Sequence, residues 1–209
     1  MRRKLAGMLI ALAFGAGTAT AQAPAEGPDL PPVGFGRLNQ EQLSVQFSSG
    51  DIQVRFLPLD ERVLRLLAND GYASLHALVD SRRAVLDSAA AAAGISSPGL
   101  ALISFFGLRA DARFDPENLS LIYRSQFYRP EAIVPITANF STRQLPVRRQ
   151  ASAIYVFELP IPVYDQFDLA YETAQSSGWK DILSRLDRER AWVTSRAQAD
   201  RPDTAARRP

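Results

Sequence analysis

The stretch Leu100-Ala-Leu-Ile-Ser-Phe-Phe-Gly-Leu108 decides the fold of this chain, because a continuous apolar run of this length suits a central, buried strand. Further strands are predicted on its C-terminal side. They occupy residues 118–123, 127–137, 151–159 and 167–171. These runs are short, and Pro, Asp and Asn residues lie between them. That pattern favours antiparallel sheets packed face to face over a parallel α/β sheet.

A β-hairpin is predicted upstream of this stretch. Residues 43–47 and 52–56 each alternate apolar and polar side chains, and the Ser49-Gly50 pair between them suits a turn. Two strands by themselves are marginally stable, so the hairpin is expected to join one of the later sheets.

Two helices are predicted between the hairpin and the apolar stretch. A short helix over residues 63–67 follows Asp60, which is an expected N-cap, and the Asn69-Asp70-Gly71 segment is expected to end it. A longer helix is predicted over residues 73–93. Its last turns are rich in alanine, which predicts a thin helix lying closely on a sheet.

A closing helix is predicted to begin at Ser177 or Gly178, with an apolar stripe facing the core. Arg185 and Glu189 form a four-residue charge pair that is expected on its solvent side, and Asp187 and Glu189 are both expected to be solvated. The predicted fold class is therefore α+β. It is an antiparallel, immunoglobulin-like β-sandwich with an N-terminal β-hairpin, a two-helix segment and a C-terminal helix.

The first residues have the pattern of a secretory signal peptide. Arg2, Arg3 and Lys4 precede an apolar core of about a dozen residues, too short for the roughly 20 that a membrane-spanning helix needs. Small residues follow, and cleavage is expected after Ala21. The protein is therefore predicted to be extracytoplasmic, either periplasmic or secreted, with no transmembrane segment after cleavage.

The chain is accordingly divided into five segments. Residues 1–21 are the predicted signal peptide and residues 22–34 a flexible lead-in. Residues 35–99 hold the hairpin and the helix pair, which are expected to pack on the next segment. Residues 100–197 hold the β-sandwich and the closing helix, and residues 198–209 are a predicted disordered tail.

Composition excludes several functional classes. The chain has 24 basic and 22 acidic residues, and the predicted leader contains three of the basic ones and no acidic one. The remaining chain is close to neutral, which gives no support to nucleic-acid binding. It has no Cys, so no disulfide is predicted. His76 is its one His, which is too few for a zinc site rich in His or Cys. No nucleophile-elbow motif is present, so a Ser–His–Asp triad is not predicted either. No cofactor is predicted.

One oxygen-rich segment is a weak candidate for a metal site. Asp111, Asp115 and Glu117, with Asn118, offer oxygen atoms of the kind that Ca²⁺ prefers. Their spacing matches no calcium-loop template, and Arg113 places a cation among them. A turn that precedes a strand is the favoured interpretation.

Arg and Tyr side chains in the predicted sandwich form the candidate partner-binding residues, since both types are favoured in interfaces. They are Tyr123, Tyr128, Arg129, Arg143, Arg148 and Arg149. The leading hypothesis is an exported, non-enzymatic binding or scaffolding domain of the bacterial cell envelope. It would contact an envelope protein or a surface polymer, in an oligomeric state that the sequence leaves open.

Two alternatives belong to other functional classes. One is an extracytoplasmic hydrolase that uses carboxylates from Asp111, Asp115 or Asp165, which requires two of these acids to meet in a cleft. The other is a carrier of a small apolar ligand, which requires a dry cavity between the helices and a sheet.

Overall fold

The computed structural model describes residues 30–200 of the 209-residue chain. The predicted signal peptide lies outside these residues, as do parts of the predicted lead-in and tail. The strands are β1 Val45–Ser49, β2 Ile52–Pro58, β3 Gly99–Gly107, β4 Ala112–Arg113, β5 Leu119–Tyr123, β6 Gln126–Tyr128, β7 Ala132–Pro135, β8 Gln144–Leu145, β9 Gln150–Phe157, β10 Asp168–Tyr171 and β11 Ala174–Ser176. The helices are α1 Glu61–Leu64, α2 Asn69–Ala92 and α3 Trp179–Ala199, with short 3-10 helices at Pro116–Asn118 and Ala138–Thr142.

The strands form antiparallel sheets in a sandwich-like arrangement. The larger sheet has the order β1-β2-β3-β9-β7, the second has the order β11-β10-β5-β6, and β4 pairs with β8. The predicted apolar stretch becomes β3, with β2 on one side and β9 on the other. The predicted hairpin is β1 and β2, and its pairing with β3 makes it part of the larger sheet. The protein is thus α+β, with antiparallel sheets and a C-terminal helix.

Aromatic rings fill the space between the two larger sheets. The ring of Phe105 on β3 stacks on Phe114, with centroids 4.6 Å apart, and lies 5.4 Å from the ring of Tyr171 on β10. The ring of Phe167 lies between Phe56 of β2, at 5.8 Å, and Trp179 of α3, at 4.9 Å. Such ring pairs add to the free energy gained from burying their area. They attach the second sheet and α3 to the inner face of the larger sheet.

The run 127–137, predicted as one strand, is two strands in different sheets. β6 pairs with β5 in the second sheet, whereas β7 pairs with β9 in the larger sheet. Pro130 lies between them and has no N–H to donate to a ladder, so the chain leaves one sheet there and joins the other.

The helix pair also differs from its prediction. Asp60 does cap α1, accepting a hydrogen bond from the backbone N–H of Arg62 at 2.9 Å, but α1 is a single turn. The Asn69-Asp70-Gly71 segment, expected to separate the helices, forms the first turn of α2. Polar residues such as these are favourable at a helix start, and the sequence argument mistook them for a break.

Helix α2 packs against β7 and β9, on the face of the larger sheet that points away from the second sheet. Its buried side chains are Leu75, Val79, Leu86 and Ala90. The alanine-rich end allows close approach, and the chain leaves the helix at Gly94 with a φ of 73°, a conformation that favours glycine.

The N-terminal segment and α3 are joined by an ion pair. The Glu189 carboxylate accepts hydrogen bonds from the Arg37 backbone N–H at 3.1 Å, from its Nε at 3.1 Å and from its Nη2 at 2.9 Å. The Arg37 guanidinium also lies 3.6 Å from the centroid of the Trp192 ring. The expectation that Glu189 is solvated is therefore wrong: it is 6% exposed, because a residue far away in sequence takes the place of water.

Gly36, next to Arg37, lies so close to the backbone of Leu66 that no side chain fits at this position. The N–H of Leu38 donates to the Leu66 carbonyl at 3.0 Å, and the N–H of Ala68 donates to the Leu38 carbonyl at 2.9 Å. A Cβ placed on Gly36 would lie 2.3 Å from the carbonyl carbon of Leu66. Glycine at this position lets the segment approach the turn after α1 and sets the position of Arg37.

We expect Arg37→Gln to lower the thermal midpoint, because it leaves the buried Glu189 carboxylate without its counter-ion. Glu189→Gln should lower it less, because the Arg37 side chain that it leaves unpaired is 55% exposed. Arg196→Gln is the matched control, since the Arg196–Asp200 pair on the same helix is exposed and such pairs contribute little. Thermal unfolding followed by circular dichroism tests this. Equal midpoints for all three variants would contradict a stabilising role for the Arg37–Glu189 pair.

Two buried tyrosines lie between the sheets. The Tyr155 hydroxyl donates to the Pro116 carbonyl at 2.7 Å, and the Tyr171 hydroxyl accepts from the backbone N–H of Asp115 at 3.0 Å. Burial raises the pKa of both phenols well above their ordinary value, because a phenolate there would lose its hydration. These tyrosines therefore stay neutral in the folded protein at pH values where an unfolded chain ionises.

Stability is consequently expected to fall at alkaline pH. Because the folded-state pKa is raised, the contribution of Tyr155 is fully present below about pH 10 and is lost as the pH rises above it. The loss is about 1.4 kcal/mol per pH unit for each such tyrosine. Tyr155→Phe should make the fall shallower by that amount, as measured by urea unfolding between about pH 9 and 11.5. An unchanged slope would show that Tyr155 does not govern alkaline unfolding.

Candidate binding surface

The hairpin of β5 and β6 carries the first group of predicted binding residues. Its turn consists of Arg124 and Ser125, with φ values of 51° and 64°, and Tyr123 pairs with Gln126 on either side of it. Two central residues with positive φ give a turn whose twist matches that of the strands. In its sheet, β6 is an edge strand, so the hairpin lies at the border of the described fold.

The pairing of β6 with β5 shows which side chains of β6 face the core and which face outward. Tyr128 pairs with Leu121, which is buried in the core, and its hydroxyl donates to Oε1 of Gln126 at 2.6 Å. Phe127 pairs with Ile122 on the outer face and is 68% exposed. Arg129 follows directly after β6 and is exposed. The structure thus makes Phe127, which the sequence argument did not select, the outward aromatic residue.

Tyr123 is held by two charged neighbours. Its hydroxyl donates to Oδ2 of Asp165 at 2.6 Å, and the guanidinium of Arg124 lies 4.9 Å from its ring centroid. The hydrogen bond to the Asp165 carboxylate raises the pKa of the Tyr123 phenol. These two contacts hold the Tyr123 side chain in place beside the hairpin turn.

Arg129 and Arg143 both lie near Glu117. Arg129 and Glu117 line the same open concavity of about 440 Å³, beside β7. Nη2 of Arg143 lies 2.9 Å from Oε1 of Glu117, and its Nη1 lies 3.5 Å from Oδ1 of Asp115. Two carboxylates therefore neutralise Arg143, and Arg129 is the more available cation of the two.

Arg148 and Arg149 belong to a different part of the surface. Both are exposed in the turn before β9, where Arg148 has a φ of 60°. Arg149 lines a shallow concavity of about 580 Å³ together with Asp111 and Gln144. The structure thus divides the six predicted residues between the hairpin, the Glu117 cluster and this turn.

The oxygen-rich segment behaves as a turn. Asp115 caps the following 3-10 helix by accepting from the backbone N–H of Glu117 at 3.2 Å, and the N–H of Asn118 donates to the Asp115 carbonyl at 3.2 Å. Asp111 accepts from Nε2 of Gln144 at 3.0 Å. Within residues 30–200 no group of three or more His, Cys, Asp or Glu side chains is arranged to hold a metal ion.

The acids proposed for hydrolysis each contact a different neighbour. Asp111 bonds Gln144, Asp115 pairs with Arg143, and Asp165 accepts from Tyr123. Within the described residues 30–200, no hydrogen bond joins any two of these acids. The arrangement supplies no specific support for a carboxylate pair acting across a cleft.

His76 lies on the surface of α2 among charged side chains. Its Nδ1 is 2.9 Å from Oδ2 of Asp80, and its Nε2 is 4.0 Å from Oε1 of Glu61. Arg83 donates to Asp80 and, together with His76, lowers the pKa of that carboxyl. These contacts make a helix-surface network of the kind that i,i+3 and i,i+4 pairs form.

The surface formed by Ile122, Arg124, Phe127 and Arg129 is called the hairpin patch below. It combines the apolar pair Ile122 and Phe127 at the edge of a sheet with two exposed arginines: Arg124 in the turn, whose guanidinium lies over the Tyr123 ring, and Arg129 after β6. The sequence Tyr123-Arg-Ser-Gln-Phe-Tyr-Arg129 carries apolar side chains on both faces of a strand, which marks it as unusual. Only the register with β5 shows that Phe127, and not Tyr128, is on the outer face. The sequence argument also missed Arg55, which lines a groove beside α2.

Within residues 30–200, none of the helices combines the length and the apolar content that crossing a bilayer requires. Comparisons with protein-family models, with curated proteins and with solved structures find no match to this chain.

Proposed function

We propose that this protein is an exported, non-enzymatic binding domain of the bacterial cell envelope, which holds a protein partner on the hairpin patch. The observation that carries the proposal is Phe127, an aromatic side chain 68% exposed on an edge strand, directly opposite Ile122. Exposed apolar groups that cluster in this way mark interaction sites more often than isolated ones do.

The charge of the hairpin patch indicates the chemistry of the partner. Arg124 and Arg129 are both exposed, and they lie on either side of Phe127 in sequence. Two acids lie close to the patch, and both have partners: Asp165 accepts from the Tyr123 hydroxyl, and Asp168, which pairs with Ile122, accepts from Nε2 of Gln175. A partner segment that offers one apolar side chain between acidic residues would complement this surface, since aromatic residues and arginine dominate protein interfaces. A surface polymer is the alternative occupant that the experiment below distinguishes.

The non-enzymatic part of the proposal is supported by how the candidate acids are used. Asp111, Asp115 and Asp165 each contact a different neighbouring side chain. The proposal also classes the two facing sheets as an immunoglobulin-like sandwich. Antiparallel sheets around an aromatic core support this classification, which rests on analogy of architecture and implies no activity.

Export makes a direct prediction about the N-terminus of the protein. Cleavage after Ala21 should leave Gln22 as the first residue, in a periplasmic or secreted fraction. Replacing Ala19 and Ala21 by leucine should cause the precursor to accumulate, because the peptidase requires small side chains there. Mass spectrometry of the fractionated protein tests this. A cytoplasmic protein that retains residues 1–21 would contradict export.

Contact through the hairpin patch is tested by placing a photoreactive phenylalanine analogue at position 127 in living cells. We expect one defined adduct that protease digestion removes, and its loss when Arg124→Glu and Arg129→Glu are added, because charge reversal repels an acidic partner. The matched control is the same analogue at Val85, which is 51% exposed on α2 and should give no such adduct.

Each contrary result has a defined meaning. The same adducts at positions 85 and 127 would show non-specific contact, and no adduct at 127 would remove the hairpin patch. An adduct that resists protease but is removed by glycan-degrading enzymes would replace the protein partner with a polymer. Purified variants should keep the wild-type melting midpoint, since substitutions at such exposed positions usually change stability by about 0.5 kcal/mol or less.

A further inference from the structure

The outer face of the larger sheet is divided into an apolar row and a polar row. Leu57, Leu102 and Ile154 pair across β2, β3 and β9. Two residues further along the same strands, Arg55, Ser104 and Ser152 pair in the same way. Residues two apart on a strand point to the same face, about 7 Å apart. A cation and two hydroxyls therefore lie directly beside an apolar surface.

Helix α2 covers this face incompletely and leaves an open groove of about 200 Å³ along the boundary between the two rows. Its apolar end is lined by Leu57 and Leu102 of the sheet and by Leu78 of α2, and Ile136 lines it beside Ser152. This volume is below the range of roughly 300–1,000 Å³ that is usual for drug-sized ligands, so the groove suits a small molecule. It is not the dry cavity that a purely apolar ligand requires, because its other end is polar.

Arg55 is the charged residue of the polar end. Its Nε donates to Oγ of Ser44 at 2.9 Å, and Ser44 in turn donates to the Gln40 carbonyl, which holds the guanidinium in place. Within residues 30–200, no carboxylate lies within 4 Å of this guanidinium, and its two terminal nitrogens have no hydrogen-bond partner. Arg55 is half-buried, so it combines partial desolvation with donors that remain free.

Burial lowers the pKa of the Arg55 guanidinium, and the more distant Glu41 carboxylate opposes that shift. The partial dehydration of this cation is therefore unfavourable and incompletely compensated within the described chain. An anion in the groove would supply the missing counter-charge, and Arg binds carboxylates through two parallel N–H donors.

Hydroxyl groups supply further donors around the same position. Oγ of Ser104 and Oγ of Ser152 lie 2.7 Å apart and share one proton, which leaves the other proton of the pair to donate elsewhere. Oγ1 of Thr137 accepts from the backbone N–H of Ser152 at 3.0 Å, and its own proton is not used in that bond. Ser104, Ser152 and Thr137 all line the groove, and Ser104 is the one that pairs directly with Arg55. The polar end thus offers hydrogen-bond donors, as an acceptor-only group such as carboxylate requires.

We propose that this groove binds a small monocarboxylate with an unbranched apolar tail, of the class of medium-chain fatty acids. The carboxylate pairs with the terminal nitrogens of Arg55 and accepts from the hydroxyl of Ser104 on the neighbouring strand, and the tail lies against Leu57, Leu78 and Leu102. The groove lies on the outer face of the larger sheet, whereas the hairpin patch belongs to the second sheet. The proposal therefore goes beyond the binding function proposed above and does not depend on it.

Octanoate is a suitable probe, titrated into the purified protein at pH 7 and followed by NMR of the leucine and isoleucine methyl groups. We expect saturable shifts at Leu57, Leu78 and Ile136, and much weaker binding of 1-octanol and octylamine, which lack the anion. Arg55→Gln should weaken octanoate binding at least about tenfold, because a hydrogen bond to a charged group is lost. It should leave the weak binding of 1-octanol unchanged.

A second variant is needed because Arg55→Gln could also disturb the fold by removing the hydrogen bond to Ser44. Ser104→Ala removes the hydroxyl that lies directly beside Arg55 and should weaken octanoate binding by roughly two- to tenfold. Arg124→Gln, which removes a cation of the hairpin patch, is the matched control and should bind octanoate like the wild type. Both groove variants are to be checked for an intact methyl spectrum before titration.

Four results would overturn the proposal. They are no saturable shift at about 10 mM octanoate, octylamine binding as tightly as octanoate, wild-type affinity in the folded Arg55→Gln variant, and tighter binding of N-acetyl-leucine. The last compound represents the C-terminal carboxylate of a peptide, so its preference would assign the groove to a protein terminus instead of a fatty acid. Failure of octanoate to bind would leave the crosslinking result at position 127 unaffected.

Discussion

The pairing of β3 with both β2 and β9 is the constraint on which the rest of the structure depends. It brings the N-terminal hairpin and the C-terminal strands into one sheet, although the helix pair separates them in sequence. The same strand carries Phe105 on its inner face, where the ring contacts Phe114 and Tyr171, and Ser104 on its outer face. Both the aromatic core and the polar row of the groove therefore take their positions from one strand.

Much of this architecture was predictable from local patterns. The apolar run became β3, the alternation around Ser49-Gly50 became the hairpin, and the stripe that begins at Trp179 became α3. The errors arose where long-range contacts override local signals. The charge spacing around Glu189 suggested a solvated side chain, because nothing nearby in sequence reveals that Arg37 will cover it. The predicted strand 127–137 is two strands, because its first half pairs with β5 and its second half with β9. A single sequence does not show which strands pair with each other.

The functional surfaces were less predictable, for the same physical reason. The Tyr123–Arg129 segment was recognisable as unusual, but the register with β5 is needed to show that Phe127 points outward and that Tyr128 does not. Arg55 looked like an ordinary polar residue of an amphipathic strand. Its significance comes from Ser104 and Ser152 on neighbouring strands, which are single hydroxyls within apolar runs. An isolated hydroxyl in such a run is a signal that sequence reasoning can use, since a buried polar group needs a partner.

The Arg37–Glu189 pair has a consequence for how the chain matures. The two residues are separated by 152 positions, so the N-terminal segment leaves the ribosome long before its counter-ion exists. Until α3 has been synthesised, the segment at Gly36–Leu38 has its backbone hydrogen bonds to Leu66 and Ala68 but lacks the ion pair to Glu189. A chain that stops short of Glu189 would therefore lack one of the two attachments of its N-terminal segment, and only the complete helix α3 supplies it.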